Sequence, residues 1–158
     1  MPAAPFLDLD TLDLTKTFAD RDAIYSRLPQ REPLMMLDRI IHVDMESGVA
    51  AAIREVREDE FWTKGHIPGR PLLPGVLMIE SAAQFAAYMT YEVRPEETRF
   101  MGFGGVDKVK LRGTVVPPDQ MHMVNKIVEV RSRRTIADVQ GFVDGTMVFE
   151  AQITGMIV

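Results

Sequence analysis

The stretch Val76 to Tyr91 limits what this chain can become more than any other part of it. Val76, Leu77, Met78, Ile79, Ala82, Ala83, Phe85, Ala86, Ala87, Tyr88 and Met89 occupy nearly every face of a helix. A helix that is apolar all round has to be enclosed by other parts of the protein. At about sixteen residues between polar flanks, it falls short of the ~20 apolar residues that span a bilayer. Protein, not lipid, is therefore expected to enclose it. One carboxylate, Glu80, interrupts the apolar surface, and Gln84 follows one turn later on the same face.

The flanking segments read as strands. Leu34 to Val43 is rich in Leu, Met and Ile; Glu46-Ser47-Gly48 turns the chain, and Val49 to Val56 reads as the hairpin partner. After the helix come Arg99 to Leu111 and Met121 to Arg131, divided by Pro117-Pro118-Asp119. Ile136 to Val143 and Met147 to Ile157 then close around Asp144-Gly145, a strong signal for a two-residue hairpin turn. Met147, Phe149, Ala151 and Ile153 alternate with Val148, Glu150 and Gln152, as a strand with one apolar face requires. Upstream, Asp20 is placed to cap a short helix that Pro29 stops, and residues 1–19 read as an extended arm. Two strands, one enclosed helix and a run of antiparallel strands predict an α+β fold with a curved sheet around the helix. The expected organisation is an arm over 1–19 and one domain over 20–158.

Composition removes several function classes. The chain has 158 residues, enough for one domain with a substantial core, and no cysteine, so thiolate catalysis and cysteine zinc sites are excluded. A net charge of −5 argues against a general nucleic-acid binder. Met1 to Asp10 lacks the basic and apolar regions of a secretory signal, and a cytoplasmic protein is expected. His42 and His122 lie in predicted strands without metal-ligand spacing and read as structural. The eleven methionines read as core filler, some of them able to adapt to an apolar ligand.

Chemistry concentrates in Gly65-His66-Ile67-Pro68-Gly69-Arg70-Pro71-Leu72-Leu73-Pro74-Gly75, which leads into the helix. Histidine moves protons near neutral pH, and a desolvated glutamate fourteen residues later in the chain can act as its acidic counterpart. Gly75 at the helix start offers a backbone N–H to developing negative charge and lets a substrate approach closely. A lone loop histidine is more often a surface residue, and a helix glutamate is more often paired with arginine; the combined spacing is what favours acid–base work. Gln84 is placed to hydrogen-bond the Glu80 carboxyl.

The run His66-Ile67-Pro68-Gly69-x-Pro71-x-x-Pro74-Gly75-Val76-Leu77-x-x-Glu80-x-x-x-Gln84 resembles the (3R)-hydroxyacyl-[acyl carrier protein] dehydratases of bacterial fatty acid synthesis, the FabZ type. Leu28-Pro29-Gln30-Arg31-Glu32-Pro33-Leu34-Met35-Met36-Leu37-Asp38-Arg39 and Phe103 to Val116 agree in order and spacing. The resemblance implies a hot-dog fold, a homodimer with two shared sites, and often a trimer of dimers. It implies a hydro-lyase in which His66 is the base on C2 of a 3-hydroxyacyl thioester and Gly75 holds the enolate oxygen. Glu80 either protonates the departing hydroxyl or orients a water while His66 makes both transfers. No metal or redox cofactor is implied, because the thioester activates C2 electronically; the substrate is carried on the phosphopantetheine arm of acyl carrier protein. Lys108, Lys110, Arg112, Arg131, Arg133 and Arg134 are candidates for docking that acidic partner, against the ordinary reading of solvated charges. Gln30, Ile67 and Ser81 stand where the family usually has histidine, phenylalanine and alanine, and residues 1–19 are extra. A hot-dog thioesterase and a silent acyl-binding domain are the competing functions; the pairing of His66 with Glu80 argues against both.

Overall fold

The computed structural model describes residues 1–158. After a 3₁₀ turn at Leu9–Thr11 come α1 (Arg21–Arg27), β1 (Arg39–Asp44), β2 (Val49–Glu55), α2 (Gly75–Val93), β3 (Met101–Leu111), β4 (Gln120–Val130), β5 (Arg134–Val143) and β6 (Thr146–Ile157). The strands make one antiparallel sheet in the order β1-β2-β4-β5-β6-β3, and it wraps α2 as a hot-dog fold.

Local chemistry explains most boundaries. Asp20 accepts a hydrogen bond from the Ala23 N–H at 2.9 Å and so starts α1. Asp144 and Gly145 both have positive φ, 50° and 78°, which the mirror-image hairpin turn between β5 and β6 demands. β1 is the exception. It begins at Arg39, not Leu34, because side chains take the backbone donors a ladder would have used. Met36 N–H donates to Gln84 Oε1 at 3.1 Å, and Leu37 N–H donates to the Tyr25 hydroxyl at 2.8 Å.

The concave face packs Met121, Met123, Ala137, Val139 and Phe149 against the helix residues Met78, Ala82, Phe85 and Met89, all in one buried cluster. The arm covers the convex face. Phe6, Leu7 and Leu9 pack on Val49, Val124, Phe142 and Met147, and Leu12 packs on Ile41, Ala51 and Ile53. Gln140, 1% exposed, fastens the arm: the Phe6 N–H donates to its Oε1, and its Nε2 donates to Ala4 O, both at 3.0 Å. The arm finally pairs with the sheet edge, where Ala19 and Ile40 exchange backbone hydrogen bonds at 3.1 and 2.9 Å. At the opposite edge β3 has β6 as its one strand neighbour.

The helix is not enclosed on every side. Val76 is 71% exposed, and Glu80, Ala83 and Ala87 are half-buried. Spaced by four, three and four residues, they form one stripe along α2 that this chain leaves uncovered.

Candidate active site

His66 sits on a loop held at many points. Its N–H donates to Trp62 O at 2.8 Å, and its ring Nδ1 lies 2.6 Å from Leu72 O. A carbonyl only accepts, so Nδ1 carries a proton, and in the neutral ring Nε2 presents its lone pair. The neighbouring Ile67 has φ 60°, a left-handed conformation that a β-branched side chain resists at a cost of about 1–3 kcal/mol. Surrounding bonds keep it there. Arg70 N–H donates to Ile67 O at 2.9 Å, and Leu73 N–H donates to Val115 O at 2.8 Å. Thr63 ties the base of the loop, its hydroxyl donating to Glu58 O and Glu60 O at 2.9 and 2.8 Å.

The loop delivers Gly75 to the first position of α2, after Pro74. Pro74 O accepts from the N–H groups of Leu77 and Met78, and those of Gly75 and Val76 have no acceptor in the chain. A side chain at Gly75 would have its Cβ 2.4 Å from Leu111 Cδ1, so the exposed Leu111 side chain at the end of β3 would have to turn aside.

Glu80 lies one and a half turns further along. Its Oε1 accepts from Gln84 Nε2 at 2.9 Å. Gln84 is 1% exposed and fully engaged: Nε2 also donates to Leu34 O at 2.7 Å, and Oε1 accepts from Tyr25 Oη at 2.6 Å as well as from Met36 N–H. Burial pushes the Tyr25 phenol far up, so it stays a neutral donor. Glu80 and Gln84 open onto a groove of about 140 Å³ between α2 and the β3–β6 side of the sheet, walled by Ala83, Ala87, Met101 and Ile153. His66 is not among the residues lining it. One chain thus joins Glu80 to Gln84 and His66 to Trp62 and Leu72, and the two side chains do not line one groove.

Sequence reasoning missed a buried group behind both. Arg54, 1% exposed, donates from Nη2 and Nη1 to the two Glu60 oxygens at 2.8 and 3.2 Å, and from Nε to Ser81 Oγ at 3.2 Å. Burial opposes charge on Glu60, yet the Arg54 hydrogen bonds and the Arg57 N–H hold its carboxyl below the usual range. The signal was an arginine ending the otherwise apolar run Val49-Ala50-Ala51-Ala52-Ile53.

The six basic candidates do not form one rim. Leu111, between Lys110 and Arg112, packs on Gly75 at the start of α2, whereas Arg131 O and Ser132 O accept from Arg94 beyond its end. Nineteen helical residues, roughly 28 Å, separate the two groups. Arg112 pairs with Glu150 at 3.2 Å, and Arg131 and Arg134 share Glu129 at 2.8 and 2.9 Å. Lys108 borders a hollow with Phe6 of the arm, and Lys110 and Arg133 are exposed.

Residues 28–152 match the family model described as a FabA-like domain. A 3-hydroxyacyl-[acyl-carrier-protein] dehydratase FabZ from Geotalea uraniireducens is 38% identical over 139 residues, covering 85% of this chain and 93% of that protein. The FabZ of Aromatoleum aromaticum is 34% identical over 140 residues, covering 85% and 94%. Among solved structures, the dehydratase heterocomplex ApeI:P from Xenorhabdus doucetiae aligns with a TM-score of 0.72 at 15% identity over 85% of this chain and 90% of that one. Cj0977, a sigma28-regulated virulence protein from Campylobacter jejuni, aligns with a TM-score of 0.67 at 14% identity over 93% and 96%. At such identities these two attest to the fold. No helix is long and apolar enough to cross a membrane.

Proposed function

Because the chain belongs to the FabA-like family and its curated relatives are FabZ dehydratases, we propose that it removes water from (3R)-3-hydroxyacyl-[acyl carrier protein] to give the trans-2-enoyl product, at a site completed by a second copy of the chain. The thioester carbonyl acidifies C2, and no redox group is required. His66 Nε2 takes the C2 proton while the Gly75 N–H receives the charge that develops on the thioester oxygen. Glu80 of the partner subunit gives its proton to the departing 3-hydroxyl, which leaves as water as the C2–C3 double bond forms. Gln84 holds that carboxyl from behind.

The observation that carries this reading is the incompleteness of each half. Glu80 opens onto a groove that His66 does not line, and the His66 ring is held by Leu72 O with no carboxyl partner. The uncovered stripe on α2 and the unpaired edge of β3 supply a surface for a second copy, whose symmetric docking builds two sites at once.

Mixing inactive subunits tests it. His66→Ala should lose about 10²–10⁴-fold in turnover of 2-enoyl-acyl carrier protein, read from the conjugated enoyl absorbance, and Glu80→Gln should also be nearly inactive. Dissociated and reassembled together, about half the dimers are mixed, each with one intact site, so roughly a quarter of wild-type activity should return. A mixture that stays inactive while mass spectrometry shows subunit exchange would place both residues in one chain's site.

A further inference from the structure

We infer that Arg54 is a positioning residue for the reaction, a buried clamp that fixes the His66 loop against the helix start offering the Gly75 N–H. The inference rests on the dehydratase reading above, and it assigns that site a part lying outside the His66 motif.

The clamp has two arms. On the loop side, the guanidinium forks onto both oxygens of Glu60 at 2.8 and 3.2 Å. Glu60 in turn accepts from the Arg57 N–H at 2.8 Å, and its own backbone carbonyl receives the Thr63 hydroxyl at 2.8 Å. Thr63 follows Trp62, whose carbonyl receives the His66 N–H. Few links therefore separate the fork from the imidazole. On the helix side, Nε donates to Ser81 Oγ at 3.2 Å, and that hydroxyl donates to Leu77 O at 2.8 Å, in the first turn of α2. Nη2 also lies 3.1 Å from Met36 Sδ, and Nη1 donates to Glu55 O at 3.2 Å.

A planar fork of this kind fixes direction as well as distance, which the point charge of lysine does not. That matters because the loop carries strain. The left-handed Ile67 follows His66 directly and relaxes if the loop is released. Base and oxyanion donor both come from segments the clamp joins, so their separation is set by Arg54. The guanidinium is buried and the Glu60 carboxylate is partly exposed, so solvent screens the pair only from the Glu60 side.

Arg54→Met alone leaves the partly buried Glu60 without its cation, so the informative variant is Arg54→Met/Glu60→Met, since apolar replacement of both partners often preserves folding. In that double variant kcat should fall about 10²-fold through a small misplacement of the base, with KM within about twofold of wild type. The His66 ring ¹⁵N signals should move from a single Nδ1–H tautomer to a mixture, and circular dichroism should remain native. Arg54→Lys should recover part of the loss. A folded double variant with wild-type kcat and an unchanged His66 tautomer overturns the inference. Failure of the double variant to fold also overturns it, because the pair would then serve the fold alone. Wild-type turnover by His66→Ala would instead show that the dehydratase site itself is misassigned.

Discussion

The two edges of the sheet are finished in opposite ways. At β1 the chain returns on itself: the arm pairs at Ala19, spreads over the convex face and is fastened at Gln140. At β3 nothing returns. Phe103 is 58% exposed, β3 carries irregularities after Phe103 and after Asp107, and the groove holding Glu80 opens alongside. An unpaired edge is normally an aggregation hazard that proteins blunt. Here one edge is blunted by the chain's own residues, and the other receives no cover from them. The difference separates what the chain finishes by itself from what the proposed second copy would have to finish.

The strongest way to break this comparison is to charge the open edge. Phe103→Asp puts a charge on the exposed part of β3, and if a second copy docks along that edge sedimentation should show monomers. On the shared-site reading turnover should then fall by ~10²-fold or more, because each monomer would keep only half of the proposed acid–base pair. A fully active monomer would end the shared-site reading. A smaller effect, and of the other kind, should follow from removing residues 1–17. Loss of the partly buried Phe6, Leu7, Leu9 and Leu12 should cost about 2–4 kcal/mol, seen as a Tm lower by roughly 5–15 °C. Activity per folded subunit should stay unchanged. An unaltered melting curve would mean that the arm lies on the face without stabilising it. Least of all, Gln140→Ala should lower stability by about 1–2 kcal/mol through its two lost arm contacts. In the truncated chain most of that cost should vanish, and a full cost there would place the role of Gln140 in the core instead.

What sequence disclosed and what it hid divide along the range of the interactions. Helix α2, the Asp144-Gly145 turn and the Asp20 cap depend on neighbours a few residues away, and local pattern is enough to find them. His66, Gly75, Glu80 and Gln84 were legible because one continuous motif carries all four. The start of β1 was not, since Met36 is held by Gln84, forty-eight residues away. Arg54 escaped because neither Glu60 nor Ser81 marks it as a partner in the linear text. The placement of the basic residues was hidden for a related reason. Antiparallel strands carry Arg112 and Arg131 to opposite ends of the helix, so within one chain the six candidates fall into separate groups.

Gln84 has a consequence for how the molecule opens. Its carboxamide does for Leu34 and Met36 what a neighbouring strand would have done, and the Tyr25 hydroxyl it holds does the same for Leu37. The segment ahead of β1 therefore hangs from the middle of α2 instead of from the sheet. In hydrogen exchange the amides of Met36 and Leu37 should open together with the helix, although they lie outside any regular element. Glu80, bonded to the same Gln84, would then sit in a part of the protein that opens late.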